Sequence, residues 1–282
     1  MLSLDVAQRR TTVSKPVILV PPIPAETAQA VNAVFGKGNT YIMIGDELNS
    51  LFASIDLAQL DSGNPKADYM QLIYGLVTHF QFAERLPDHR AAAALHSRLD
   101  WKYALHLPLN HSGMSSHTLC EFRHQLWDDP LGQQAFQLMI DAMAGRGWLS
   151  LAAGSTADRL ISSVCNLSRI EQLVDNLCAA LEALAASRPD WLLKTALPHW
   201  YDRYTKRQSL RDLPNTLPDQ FALAQAIGLD AAHLLGAVEL ETELKQLLEI
   251  RLLRRAYSRQ FDLIEDEVRW RSPQCLVCPL AT

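Results

Sequence analysis

The chain lacks any apolar run long enough to cross a bilayer. Its longest, residues 17–23, is interrupted by Pro21 and Pro22, whereas a spanning helix needs roughly 20 apolar residues. Arg9, Arg10 and Lys15 precede that run, but no sustained apolar core and no small-residue cleavage site follow. The expectation is a cytosolic protein with no membrane partner. Positive charge is not in excess: the formal net charge is −5. No global field favours polyanions, so any nucleic-acid binding must come from a local basic surface. The five cysteines are an odd number without framework spacing, and reduced thiols are expected. Cys275-x-x-Cys278 is half of a zinc-ribbon pattern with no second half. Lys37 stands between Gly36 and Gly38 without the Gly-Lys-Ser/Thr of a phosphate loop. Alternation with a period of two is nearly absent, which argues against an all-β fold.

What is present is helical periodicity. Apolar residues make up 48% of the chain and charged residues 20%, the balance of a globular protein. Residues 1–25 read as an irregular arm, since Pro21, Pro22 and Pro24 fit neither a helix interior nor a central strand. Helices are expected over 26–35 and 65–85, with Tyr69, Leu72, Ile73, Leu76, Val77 and Phe80 on one core-facing stripe. A shorter one begins near Asp46 and Glu47, acidic residues that suit a helix start. Three short helices with tight breaks follow between about 87 and 127, the rhythm of helix-turn-helix readers. Further helices are expected over 130–146, 168–187 and 239–260, and a strand or helix end near Val268–Trp270. The fold class is mainly all-α.

Six of the nine histidines (His89, His96, His106, His111, His117 and His124) lie among Arg90, Arg98, Lys102 and Arg123. Guanidinium and ammonium groups bind phosphates by charge and hydrogen bonds. A solvated face with scattered polar residues explains the same window equally well. A zinc site is disfavoured, because His89/His96 and His117/His124 are seven apart, whereas paired helical ligands sit three or four apart. The run Trp200, Tyr201, Arg203, Tyr204, Lys206, Arg207 fits either base stacking or core packing, with packing favoured. Arg251, Arg254, Arg255 and Arg259 close the expected helix 239–260, where they complement its macrodipole.

Several segments fall in an order that resembles one family. They are GKGNTYIMIGDELNSLF (36–52), LPDHRAAAALHSRLDWKYALHLPL (86–109), SSHTLCEFRHQL (115–126), NLSRIE (166–171), PDW (189–191), RYTKR (203–207) and VRW (268–270). Together they resemble bacterial insertion-sequence transposases with an InsH-type helical N-terminal domain ahead of an RNase-H-like DDE catalytic domain. The resemblance covers roughly residues 30–272. It implies an InsH-type DNA-binding domain over 26–149 with a helix-turn-helix-like unit, and over 150–282 a helical region opening a catalytic domain. The partner it implies is double-stranded DNA at the element's terminal inverted repeats. Phosphate contacts are placed on Arg90, Arg98, Lys102 and Arg123, with His124 nearby.

In the intact family two aspartates and a glutamate bind two Mg²⁺ ions, which activate the nucleophile and stabilise the leaving oxygen of an in-line displacement. Counting back from Asn166, the first aspartate position is occupied by Thr156. Asp158 stands two residues on, displaced by roughly 7 Å along a strand. The second aspartate and the glutamate are expected beyond Thr282. The expectation is therefore a truncated copy that binds DNA, holds no Mg²⁺ alone and does not catalyse transposition by itself. It would be cytoplasmic, on the nucleoid. The alternative is a non-catalytic protein that regulates a full-length transposase, or pairs with itself, through the helices at 168–187 and 239–260.

Overall fold

The computed structural model describes residues 20–36, 38–55, 65–150, 155–204, 213–265 and 267–272. After a coil at 20–24 come α1 (Ala25–Val34) and α2 (Thr40–Ser54). The side chain of Asn39 caps α2 by accepting from the amides of Tyr41 and Ile42. This cap starts α2 six residues ahead of the sequence expectation at Asp46, because an asparagine oxygen satisfies the first free amides of a helix. Next are α3 (Pro65–Glu84), α4 (Asp88–Ser97), α5 (Leu99–Ala104), α6 (Ser116–Asp128, capped by Ser115) and α7 (Pro130–Gly145, capped by Asp129). The 31-residue α8 (Ala157–Ser187) follows, then α9 (Pro189–Thr195), α10 (Pro198–Tyr204), α11 (Leu217–Glu239) and α12 (Leu248–Gln260). A hairpin of β1 (Phe261–Ile264) and β2 (Glu267–Trp270) pairs antiparallel, with Phe261 opposite Trp270. The mainly all-α expectation holds, and these are the only strands among the described residues.

Two apolar cores hold the fold, and α8 runs through both. The first gathers Ile44 and Leu48 of α2, Leu76 and Phe80 of α3, Trp101 of α5, Phe122 of α6, Phe136 of α7 and the α8 residues up to Cys165. The second begins two residues later, at Leu167, and collects Trp200, Ile227, Leu234, Leu253, Phe261 and Trp270. The transition thus falls inside a continuous helix.

Two close approaches set the geometry. Gly45 lets α2 approach α5: a Cβ there would lie 2.8 Å from the Tyr103 carbonyl oxygen. Gly228 lets the Phe261 ring seat against α11, which fixes the turn from α12 into the hairpin.

The helix expected over 239–260 is two elements. Leu240 ends α11, a 3-10 turn spans Leu244–Gln246, and α12 starts afresh at Leu248. By length and composition α11 passes for a membrane-crossing helix, the only described one that does. Its Ile227, Ala231, Leu234 and Val238 are buried in the second core. Cys275 and Cys278 lie outside the described residues.

Candidate nucleic-acid interface

The segment that carries the strongest resemblance is the best buried part of the molecule. Asp100 to Leu107 form an unbroken buried stretch, and Trp101 is fully enclosed. The basic side chains expected to reach DNA take part in this packing.

Arg123, on α6, has no exposed surface. Its Nη2 donates to both carboxylate oxygens of Asp88 at 2.6 Å, and its Nη1 donates to Gln81 Oε1 at 3.1 Å. The Gln81 amide in turn donates to Asp88 Oδ1 at 2.8 Å, and the Asp88 backbone amide donates to Ser168 Oγ at 3.0 Å. One polar node thereby ties α3, α4, α6 and α8 together. Two ions cannot stay buried without this degree of satisfaction, since each loses its hydration on folding.

Arg98 is half-buried and fills a second node. It donates to Asp100 through Nε at 3.0 Å and Nη2 at 2.7 Å, and to Glu84 through Nη1 at 2.5 Å. Its guanidinium lies 5.0 Å from the ring centroids of both Tyr41 and Trp101. Glu84 also accepts from the Tyr41 hydroxyl and from Trp101 Nε1. Burial and this carboxylate push the Tyr41 phenol well above its usual range.

Lys102 is buried and donates to the Leu109 carbonyl at 2.5 Å, closing the loop after α5. Arg90 and His89 both reach Glu171 of α8, at 2.7 and 2.8 Å. Burial raises the Glu171 carboxyl above its ordinary range against the pull of His89 and Arg90. His124 is half-buried, 4.9 Å edge-on to Trp127. Burial, helped by the Arg123 charge, holds its imidazole below the usual value.

These positions correct the sequence expectation for Arg123 and Lys102. Their charged heads are enclosed and joined to internal acceptors, so in this fold Arg123 ties helices together and Lys102 closes the loop after α5. Arg90 and Arg98 keep partial exposure, but their donors face Glu171, Glu84 and Asp100. Periodicity gave no warning of Glu84, Asp88 and Glu171, which stand 14, 35 and 81 positions from Arg98, Arg123 and Arg90.

Asp158 also differs from expectation. The segment is not a strand: Thr156 caps α8 by accepting from the Arg159 amide, and Asp158 lies exposed in the first helical turn. There its charge complements the helix dipole. No group of three or more His, Cys, Asp or Glu side chains converges on a possible ion among the described residues.

The aromatic-basic run divides. Trp200 and Tyr204 are buried, as the packing alternative requires, while Tyr201 is exposed. Asp230 of α11, buried, accepts from His199 Nε2 at 2.9 Å, from the Tyr204 hydroxyl at 2.5 Å and from Arg203. Burial alone would raise the Asp230 carboxyl. The hydrogen bonds from Tyr204, His199 and Arg203 override it and hold the carboxyl below the ordinary range. This third node seats α10 on α11. Lys206 and Arg207 lie outside the described residues.

The arginines read from the sequence as closing one helix over 239–260 lie instead along α12. Ile250, Leu253 and Ala256 point into the second core, while Arg251, Arg254 and Arg255 are exposed on the opposite side. The apolar faces of α8 and α12, offered above for pairing with another chain, are used inside the molecule. Comparison with protein-family models, with curated proteins and with solved structures gives no match to this chain.

Proposed function

We propose that the chain is a DNA-binding protein of the insertion-sequence transposase kind, which holds the terminal inverted repeats of its element. The observation that carries this reading is the order of segments from 36–52 through 268–270 that resembles the InsH-type region. The fold supports it in one respect. Residues 86–126, which hold the most specific of those segments, make three successive short helices (α4, α5 and α6) bound by shared ion pairs. A signature built around such pairs is tightly constrained, because losing either partner strands a buried charge.

In this reading the helices from α8 to α12 lead toward the family's RNase-H-like catalytic part. If Mg²⁺ chemistry accompanies the function, the family's carboxylate set has to supply it. Asp158, alone in a helical first turn, does not make such a set.

A mobility-shift titration tests the reading. One duplex carries the inverted repeats flanking the gene, and a second carries the same bases scrambled. Preference for the repeats by about 10³-fold, the lower end of specific recognition, is expected. Equal affinity for the two duplexes, or none for either, rejects it. Co-purification with a full-length transposase without any DNA binding would favour the regulator alternative.

A further inference from the structure

We propose that the exposed face of α12 is a docking surface for the phosphodiester backbone of nucleic acid. This rests on the DNA-binding reading above and relocates its electrostatic grip away from the signature helices.

The argument begins with where α12 starts. In one helix over 239–260, the four arginines would stand near the C-terminal end, where cations are favoured by the dipole. The break at 240–247 removes that explanation. Arg251 is now the fourth residue of α12, next to the end at which a helix disfavours positive charge. Arg254 and Arg255 are mid-helix, and only Arg259 lies in the last turn. Helix stability therefore does not account for the stripe.

Its geometry suits a polyanion. Arg251 and Arg255 are four residues apart, about 6 Å along the axis on the same side, and both are exposed. Arg254 flanks them and pairs with Glu239 at 2.6 Å, while Arg251 has no acidic partner among the described residues. All four basic residues of the helix are arginine, the side chain whose planar fork binds phosphate oxygens in pairs. The base beneath is rigid: Ile250 and Leu253 are fully buried, and Gln260 hydrogen-bonds back to the Arg169 carbonyl of α8. In a chain of net charge −5, this concentrated arginine face has a sign opposite to that of the whole.

The test measures binding to a short duplex of arbitrary sequence by anisotropy, between about 50 and 200 mM salt. Each phosphate contact contributes about 0.9 to the slope of log K against log salt. Arg251→Glu/Arg255→Glu is expected to weaken binding about tenfold or more at the low-salt end and to flatten the slope by about two. Arg251→Gln/Arg255→Gln, which removes charge without reversing it, is expected to flatten the slope equally. An equal charge change elsewhere, Arg159→Glu/Lys194→Glu on exposed positions of α8 and α9, is expected to leave the slope unchanged. Circular dichroism of each variant verifies the helical fold.

If wild type binds and both α12 variants keep its slope, the stripe is overturned while the DNA reading stands. If wild type shifts only the inverted-repeat duplex and not the arbitrary one, the stripe again falls alone. If neither duplex binds, both fall. Binding to anionic phosphatidylserine vesicles without binding to duplex also overturns the proposal, with Leu248 and Leu252 beside the arginines as the apolar contribution.

Discussion

Replacing Arg123 with methionine separates a folding role from a DNA-contact role. Methionine keeps the length and apolar stem of arginine but removes the three hydrogen bonds to Asp88 and Gln81. It leaves the Asp88 carboxylate buried with only the Gln81 amide against its side chain. Breaking a buried pair from one side costs about 3–5 kcal/mol, a large fraction of the roughly 5–15 kcal/mol that holds a domain folded. Asp88→Leu strands the guanidinium and is expected to cost a similar amount.

The double variant has no buried charge at this node. It loses mainly the Gln81 pairing, about 1–3 kcal/mol. Urea unfolding followed by circular dichroism and tryptophan fluorescence gives the three values. A coupling energy of about 3 kcal/mol or more between the sites is expected, together with a DNA salt slope for Arg123→Met that matches wild type. Additive losses, or a single-variant cost under about 1 kcal/mol, would refute the node. A flattened slope in a folded Arg123→Met protein would restore that residue to the interface.

The remaining predictions concern other buried groups. His79 is fully buried, donates from Nδ1 to the Gly75 carbonyl, and is lowered by burial to about 4. Its folded value lies below its unfolded one, so its contribution is full above about 6.5 and is lost as pH falls toward 4. The difference in unfolding free energy between wild type and His79→Leu, from urea titrations, is expected to change by about 2 kcal/mol from pH 7 to pH 5, and no pH dependence in that difference would contradict the burial argument. Arg98→Lys keeps charge but loses the fork to Asp100 and the stacking on Tyr41 and Trp101. A destabilisation of about 1–3 kcal/mol without change in DNA salt slope is expected in paired melting and anisotropy measurements. Gly228→Ala forces the Phe261 ring off α11 and is expected to cost about 1–3 kcal/mol by chemical denaturation.

Much of the helical architecture was legible in the chain. The stripe of α3 and the amphipathic body of α8 both follow from apolar spacing that acts locally. Less legible were the features set by distant partners. The true start of α8 depends on Thr156 acting as a cap, whereas the resemblance placed a strand there. The break before α12 has no proline or glycine to announce it: residues 240–247 contain neither. The basic window misled for a physical reason. Arginine and lysine in a sequence look alike whether they face water or a buried carboxylate, and Asp88, Glu84 and Glu171 become visible as partners only once the helices are packed.

The comparison of duplexes, inverted-repeat against scrambled, tests the central claim most directly when wild type and Arg251→Gln/Arg255→Gln are titrated side by side. The expected result is preference for the repeats by wild type, with the α12 variant weakened on both duplexes and a flatter salt dependence. Indifference of wild type to the repeats would contradict the account.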